Sequence, residues 1–168
     1  MIENTLRWGC IDSPLGDLYL AVSNAGLAYL DFGCDQAAFL EGLDPRAEVI
    51  HDPAAVEPYA AQVRAYFAGE RHDFDLPVDL SRLTDFQRAV LAAAGAIPPG
   101  EVRTYQQLAQ AIDRPQAARA VGAALAHNPI PLVIPCHRVI GSDGGLHGYG
   151  GAGGLETKKR LLQMEGAL

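Results

Sequence analysis

The chain has 168 residues and a formal net charge of −7. Its hydrophobic share of 49% and charged share of 20% are those of an ordinary folded protein, and no apolar run approaches the ~20 residues of a membrane-spanning helix. The start, Met1-Ile2-Glu3-Asn4, lacks the basic and apolar regions of a signal peptide. Three cysteines, Cys10, Cys34 and Cys136, are an odd number without a C-x-x-C spacing. They point to a reducing compartment and a cytoplasmic location, ahead of the alternative of a Cys10–Cys34 disulfide.

Charge is divided unevenly. Residues 1–81 carry 4 Lys and Arg against 14 Asp and Glu, whereas residues 82–168 carry 9 against 6. The overall acidity argues against a polyanionic partner, but the second half, at +3, permits one. Two domains are therefore expected, 1–81 and 82–168.

The first third reads as strands. Residues 6–11, 16–22 and 27–32 are short apolar-rich runs separated by Ser13-Pro14 and by Ser23-Asn24-Ala25-Gly26, which predicts an antiparallel meander. Residues 47–50 add a candidate edge strand. After Asp52-Pro53, the positions Val56, Tyr59, Ala60, Val63, Tyr66 and Phe67 recur at helical spacing, and Gly69 supplies the stop. Residues 72–83 show no periodicity and read as a linker.

The second half reads as helices. Thr84-Asp85-Phe86-Gln87 has the form of a capping box and opens a helix to about Gly95, followed by the turn Pro98-Pro99-Gly100. Thr104-Tyr105-Gln106-Gln107 repeats the form and opens a helix over 104–112. Pro115 suits the first turn of a further helix over 116–126, and a last helix is expected over 155–164. The two middle helices fit a helix-turn-helix. Val121 and Leu125 mark the buried side of its second helix. Arg119, Ala123 and Ala126 face outward, with Gly122 nearby. One arginine on a smooth surface of small residues suits a helix that reads shape and wedges into a duplex better than one that reads sequence.

Beyond these helices lies Ile134-Pro135-Cys136-His137-Arg138-Val139, behind a run with no polar side chain from Ile130 to Pro135 and ahead of a glycine-dense loop, 141–154. A thiol becomes a nucleophile when its surroundings favour the thiolate, and prolines at 129, 131 and 135 restrict the backbone that carries it. A buried structural cysteine is the plain alternative.

Several of these segments, in order, resemble the O6-alkylguanine-DNA alkyltransferase family. The likeness rests on Gly100-Glu101-Val102-Arg103-Thr104-Tyr105-Gln106-Gln107-Leu108, on Ala118-Arg119-Ala120-Val121-Gly122, and on Asn128-Pro129 followed by the Cys136 segment. It continues through Gly148-Tyr149-Gly150 and Leu155-Glu156-Thr157-Lys158. The resemblance implies an α+β fold, with a ribonuclease-H-like first domain (a small antiparallel sheet with a helix) and an all-helical, winged-helix-like second domain. It implies direct-reversal repair of O6-alkylguanine, with O4-alkylthymine a further substrate, in one irreversible transfer to Cys136.

In that scheme His137 acts as base through a water, Glu165 orients it, and Asn128 braces the turn. Tyr105 donates to guanine N3. The Val139 carbonyl and the Cys136 amide bond the base, Pro131 lines the alkyl pocket, and Tyr149 and Gly150 belong to the substrate site. Arg119 fills the stack vacated by the flipped base. Thr104, Gln106, Ala120, Ala123 and Arg138 are expected to contact DNA with it, through the minor groove. No cofactor or metal is implied, although some relatives bind zinc in the first domain, where Cys10, Cys34, His51 and His72 are the available ligands. A monomer is expected. The loop from Gly148 to Gly154 is about two residues longer than in some relatives, and its glycines predict mobility before DNA binds. The rivals are a non-catalytic lesion-binding protein of the alkyltransferase-like type and a helix-turn-helix regulator with an acidic effector domain.

Overall fold

Short apolar-rich runs build β1 (Thr5–Ser13), β2 (Gly16–Val22) and β3 (Leu27–Phe32) into the expected antiparallel meander. The computed structural model describes residues 4–149 and 154–168. The chain divides into two compact units, Met1–Ser81 and Arg82–Leu168. In the first, β4 (Glu48–His51) runs parallel to β1 at the sheet edge, so the order is β3-β2-β1-β4. Between β3 and β4 lies α1 (Gln36–Glu41), a short helix the sequence pattern did not predict. Asp35 caps it by accepting from the Ala38 amide at 2.8 Å.

The helix α2 (Pro53–Phe67) buries Val56, Tyr59, Ala60, Val63 and Tyr66. It lies directly on β1: a Cβ at Gly9 would sit 2.7 Å from Val56 Cγ2 and 3.2 Å from Pro53 Cα. On the other face, Trp8, Tyr19 and Phe39 pack with ring centroids 5.1–6.5 Å apart, among Leu6, Ala21, Ala28 and Leu43. A Schellman motif ends α2, with Gly69 N–H donating to Tyr66 and Glu70 N–H to Ala65.

The segment read as a linker is tied down. Leu27 N–H donates to Pro77 at 3.0 Å and Asp79 N–H to Leu27 at 2.7 Å. The buried Asp79 carboxylate accepts from the hydroxyls of Ser23 and Ser81. These bonds satisfy backbone groups at the start of β3, which is why a stretch without periodicity is nevertheless ordered.

The second unit contains α3 (Asp85–Gly95), α4 (Tyr105–Ala111), α5 (Ala118–Ala126) and α6 (Gly154–Met164). Both predicted capping boxes form, at Thr84/Gln87 and Thr104/Gln107. The start of α5 is later than expected. Pro115 sits in the preceding turn, where Ala117 N–H donates to Arg114 and the Gln106 side-chain amide donates to the Pro115 carbonyl at 2.6 Å. A parallel pair, β5 (Arg103–Thr104) and β6 (Val139–Ile140), was not foreseen. It joins the entry of α4 to the segment after Cys136. No helix among the described residues is long and apolar enough to cross a membrane.

Candidate active site

The run Ile130–Pro135 is buried apart from the half-buried Val133 and folds on itself. Ile134 N–H donates to Ile130 at 3.0 Å. Leu132, only 1% exposed, adopts a left-handed φ of 73°, which costs a branched side chain about 1–2 kcal/mol. Asn128 braces this turn from both sides: its Oδ1 accepts from Ile130 N–H and its Nδ2 donates to the Ile134 carbonyl, each at 3.0 Å. The Cys136 amide donates to that same carbonyl at 2.8 Å. Pro135, at φ −81° and ψ 66°, centres this inverse γ-turn. The expected bond from the Cys136 amide to a substrate base is thus corrected: that donor closes the turn that aims the thiol.

Cys136 opens a short 3₁₀ turn, Cys136–Arg138, and is 7% exposed. It lines a cavity of about 220 Å³ with Tyr105, Gly122, Leu125, Ala126, Gly148 and Tyr149. Burial pushes its thiol pKa up; Asn128 and the Lys158 ammonium oppose this. The thiol is therefore the resting form, and thiolate must be generated as the reaction proceeds.

His137 is fully buried, and its Nε2 lies 2.8 Å from Glu165 Oε2. Burial holds the imidazole pKa below its usual value, against the pull of Glu165. The ring is then neutral. A carboxylate only accepts, so the proton resides on Nε2 and Nδ1 carries a lone pair. That Nδ1 has no hydrogen-bond partner among the described residues. The result is a base held in one tautomer with its accepting atom unused.

Arg138, expected on DNA, is a correction. It is 4% exposed, and its guanidinium forks onto Glu165 through Nε (2.8 Å) and Nη2 (3.0 Å), while Nη1 donates to the Ile97 carbonyl at 2.7 Å. A buried carboxylate needs such compensation. Arg138 therefore anchors the partner of His137 and is unavailable to a phosphate.

Lys158, quoted in the sequence only as part of a motif and given no role there, also reaches this site. It is 1% exposed, and its Nζ donates to the carbonyls of Val139 (2.6 Å), Leu146 (2.6 Å) and Gly148 (3.1 Å). Nζ also lies 5.8 Å from the Tyr105 ring centroid. Burial lowers its pKa to about 8, with the Cys136 charge opposing. The available signal was its place on the apolar stripe of α6, three and four residues before Leu161 and Leu162.

Tyr105 begins α4, and its ring lies 3.8 Å from the Cβ position of Gly122. Burial, then the Cys136 charge, raises its phenol pKa, so it remains a proton donor. Arg119, Ala120 and Ala123 are exposed on α5. A groove of about 710 Å³ runs beside them, lined by Tyr105, Gln106, Ala118, Arg119 and Gly122 on one side and by Gly141, Ser142, Asp143 and His147 on the other.

Comparison with known proteins decides the family. Residues 85–167 match the DNA-binding domain of 6-O-methylguanine DNA methyltransferase, and residues 6–80 match the ribonuclease-like domain of the same proteins. The chain belongs to the O6-methylguanine-DNA methyltransferase family. It is 44% identical over 161 residues to the methylated-DNA–protein-cysteine methyltransferase of Mycobacterium tuberculosis, covering 95% of this chain and 92% of that one. The Methanosarcina barkeri protein of the same name is also 44% identical, over 95% of this chain and 97% of its own. A crystal structure of Mycobacterium tuberculosis OGT in complex with DNA superposes with a TM-score of 0.83 at 43% identity, covering 96% of this chain and 93% of that one.

For a methyltransferase of this family, the structure gathers Cys136, Tyr105 and Tyr149 on one cavity and puts His137 and Glu165 in contact. Pro131 and Val139 are buried and do not line that cavity. The Val139 carbonyl accepts from Lys158 at 2.6 Å. The Thr104 hydroxyl and the Gln106 amide are engaged in a helix cap and in the turn at Pro115. Gly150 lies outside the described residues, as do residues 151–153 of the glycine loop. In the first unit, the His51 ring packs against Trp8 in a tilted arrangement, with centroids 4.5 Å apart. No group of three or more His, Cys, Asp or Glu that could hold a metal occurs among the described residues.

Proposed function

We propose that Cys136 is the acceptor in a methylated-DNA–protein-cysteine methyltransferase, one alkyl group being taken up per molecule. The supporting observation is a buried thiol facing the same cavity as Tyr105, next to a neutral His137 whose Nδ1 is left as a base. Sγ attacks the alkyl carbon, the carbon–O6 bond breaks, and its electron pair passes into the purine. The thiol proton goes to His137 through a water. Tyr105 donates to guanine N3, so the base departs neutral rather than as a poor anionic leaving group. Lys158 supplies the positive charge that favours thiolate as it forms. The thioether product has no hydrolytic route, so turnover stops after one transfer. The lesion brings its own alkyl group and no cofactor enters.

Double-stranded DNA is the partner. The lesion oxygen lies inside the duplex, so the base must be flipped, at a cost of about a few kcal/mol. The exposed, small-residue surface of α5 suits close approach to a minor groove, and Arg119, exposed on that helix, is the side chain that fills the vacated stack in this reading. The protein works in the cytoplasm as a monomer. A non-catalytic lesion-binding role leaves the Cys136–His137–Glu165 arrangement without a purpose.

The test is mass spectrometry after incubation with duplex DNA containing O6-methylguanine. The Cys136 peptide should gain the mass of one CH₂ group, in a yield limited to one per protein. A Cys136 peptide of unchanged mass beside repaired DNA would sink the assignment.

A further inference from the structure

The loop before the glycine run is closed by its own side chains. Asp143 Oδ1 accepts from Gly145 N–H and lies 2.8 Å from His147 Nε2. The backbone closes beneath them, Gly141 N–H donating to Gly145 at 2.8 Å and Gly144 N–H to Gly141 at 3.0 Å. The imidazole sits against Gly141, with His147 Nε2 and Cδ2 only 2.2 Å from where a Cβ there would be. Any residue but glycine at 141 would displace the ring. His147 itself takes a left-handed φ of 56°, a conformation that needs external support in a residue with a side chain. The chain reversal at His147 turns the carbonyls on either side of it, Leu146 and Gly148, onto one atom, Lys158 Nζ.

We propose that Asp143 and His147 form a latch that positions Lys158 beside Cys136, making both of them positioning residues for the alkyl transfer. The inference rests on the reading that Lys158 supports the thiolate. Four observations converge on it: the side-chain pair, the glycine seat under the ring, the left-handed backbone, and the two carbonyls gripping one buried ammonium. The titratable groups facing that ammonium are Cys136, Tyr105 and His137. Arg119 shares the groove with the latch itself. The pair is exposed, His147 by 52% and Asp143 by 68%, so its direct worth is small. Its effect is to choose one loop conformation.

The experiment uses the full-length protein with Asp143→Ala, Asp143→Asn and His147→Ala. Asparagine keeps an acceptor for the Gly145 and His147 N–H groups, and alanine does not. The titration of Lys158 is followed by NMR of its side chain, and the transfer rate is measured with free O6-alkylguanine so that DNA binding plays no part. In Asp143→Ala and His147→Ala the Lys158 midpoint should move away from its value near 8, and the rate should fall by about fivefold, the upper range for one exposed pair. Asp143→Asn should restore both. An unmoved Lys158 midpoint in the alanine variants overturns the latch, whatever the rate does. A moved midpoint with an unchanged rate upholds the latch and instead removes Lys158 from the proposed chemistry.

Discussion

The two units bury different things. The first closes its sheet with leucines and aromatic rings, and Asp79 is its one buried charged residue among those described. The second buries His137, Arg138, Thr157, Lys158 and Glu165. Buried polar groups cost stability unless fully bonded, so a domain that carries five of them is organised for something other than stability. The formal charge divides the opposite way, with the acidic excess on the first unit and the positive balance on the second. A DNA-facing reaction site belongs with the second.

The strongest way to break this contrast is at Cys136. Cys136→Ser should abolish alkyl transfer, because a serine hydroxyl with a neutral His137 beside it is a far weaker nucleophile. Affinity for O6-methylguanine duplex should stay within about a factor of three of the parent, an energy below ~1 kcal/mol. A gel-shift titration checks this. A large loss of affinity would move Cys136 from the chemistry to the binding surface.

Next in size is the buried ion pair. Arg138→Ala removes the fork of two N–H donors from the buried Glu165 carboxylate, and the expected cost is about 3–5 kcal/mol of folding stability. Urea unfolding measures it. Arg119→Ala, on an exposed helix face, should change stability by less than ~0.5 kcal/mol. It should slow transfer from duplex DNA far more than transfer from the free base. Equal slowing of both would remove Arg119 from base flipping. The two arginines, 19 positions apart in one chain, thus separate support of the site from engagement of DNA.

That pair also shows what a sequence can reveal. Features with local causes were legible. Both capping boxes, the Gly69 stop and the meander depend on residues within a few positions of each other. The outward placement of Arg119 followed from helical spacing alone. Features with distant causes were not. Arg138 meets its carboxylate 27 residues away, and the β5–β6 pair joins two-residue strands 36 positions apart. The six residues of α1 bury only Phe39, too few positions for a period to show. Lys158 was visible as a motif residue, but its role depends on three carbonyls brought to it by the fold.

pH gives a smaller and more specific test. The His137 pKa is depressed, so its base form should persist below the ordinary imidazole range, and the acid limb of the rate should lie under pH 6.5. Lys158 loses its proton near pH 8, so support for the thiolate should fade above that value. Transfer to free O6-alkylguanine should therefore show a plateau between these limits, and Lys158→Met should lower the plateau and erase the alkaline limb. The linked stability effect has the opposite sign. Between pH 8 and 10.5 the unfolded chain holds a proton that the folded lysine has released, so this residue makes the fold more stable as pH rises. A rate that climbs steadily through pH 9 would show free thiolate, rather than thiol with a base, to be the reacting form.

The smallest expected effect lies in the first unit. Cys10 is exposed and Cys34 half-buried, and both are free thiols. Burial and then a neighbouring aspartate, Asp17 for Cys10 and Asp31 for Cys34, push both thiol pKa values up. Among the described residues, no base or cation draws either toward thiolate. Cys10→Ser and Cys34→Ser should leave the transfer rate unchanged and shift stability by no more than ~0.5 kcal/mol. The parent protein should have the same mass with and without reductant. A mass lower by two hydrogens before reduction would restore a Cys10–Cys34 disulfide. Loss of transfer in either variant would show that the acidic unit contributes to the chemistry, and the division between a unit built for stability and one built for reaction would fail.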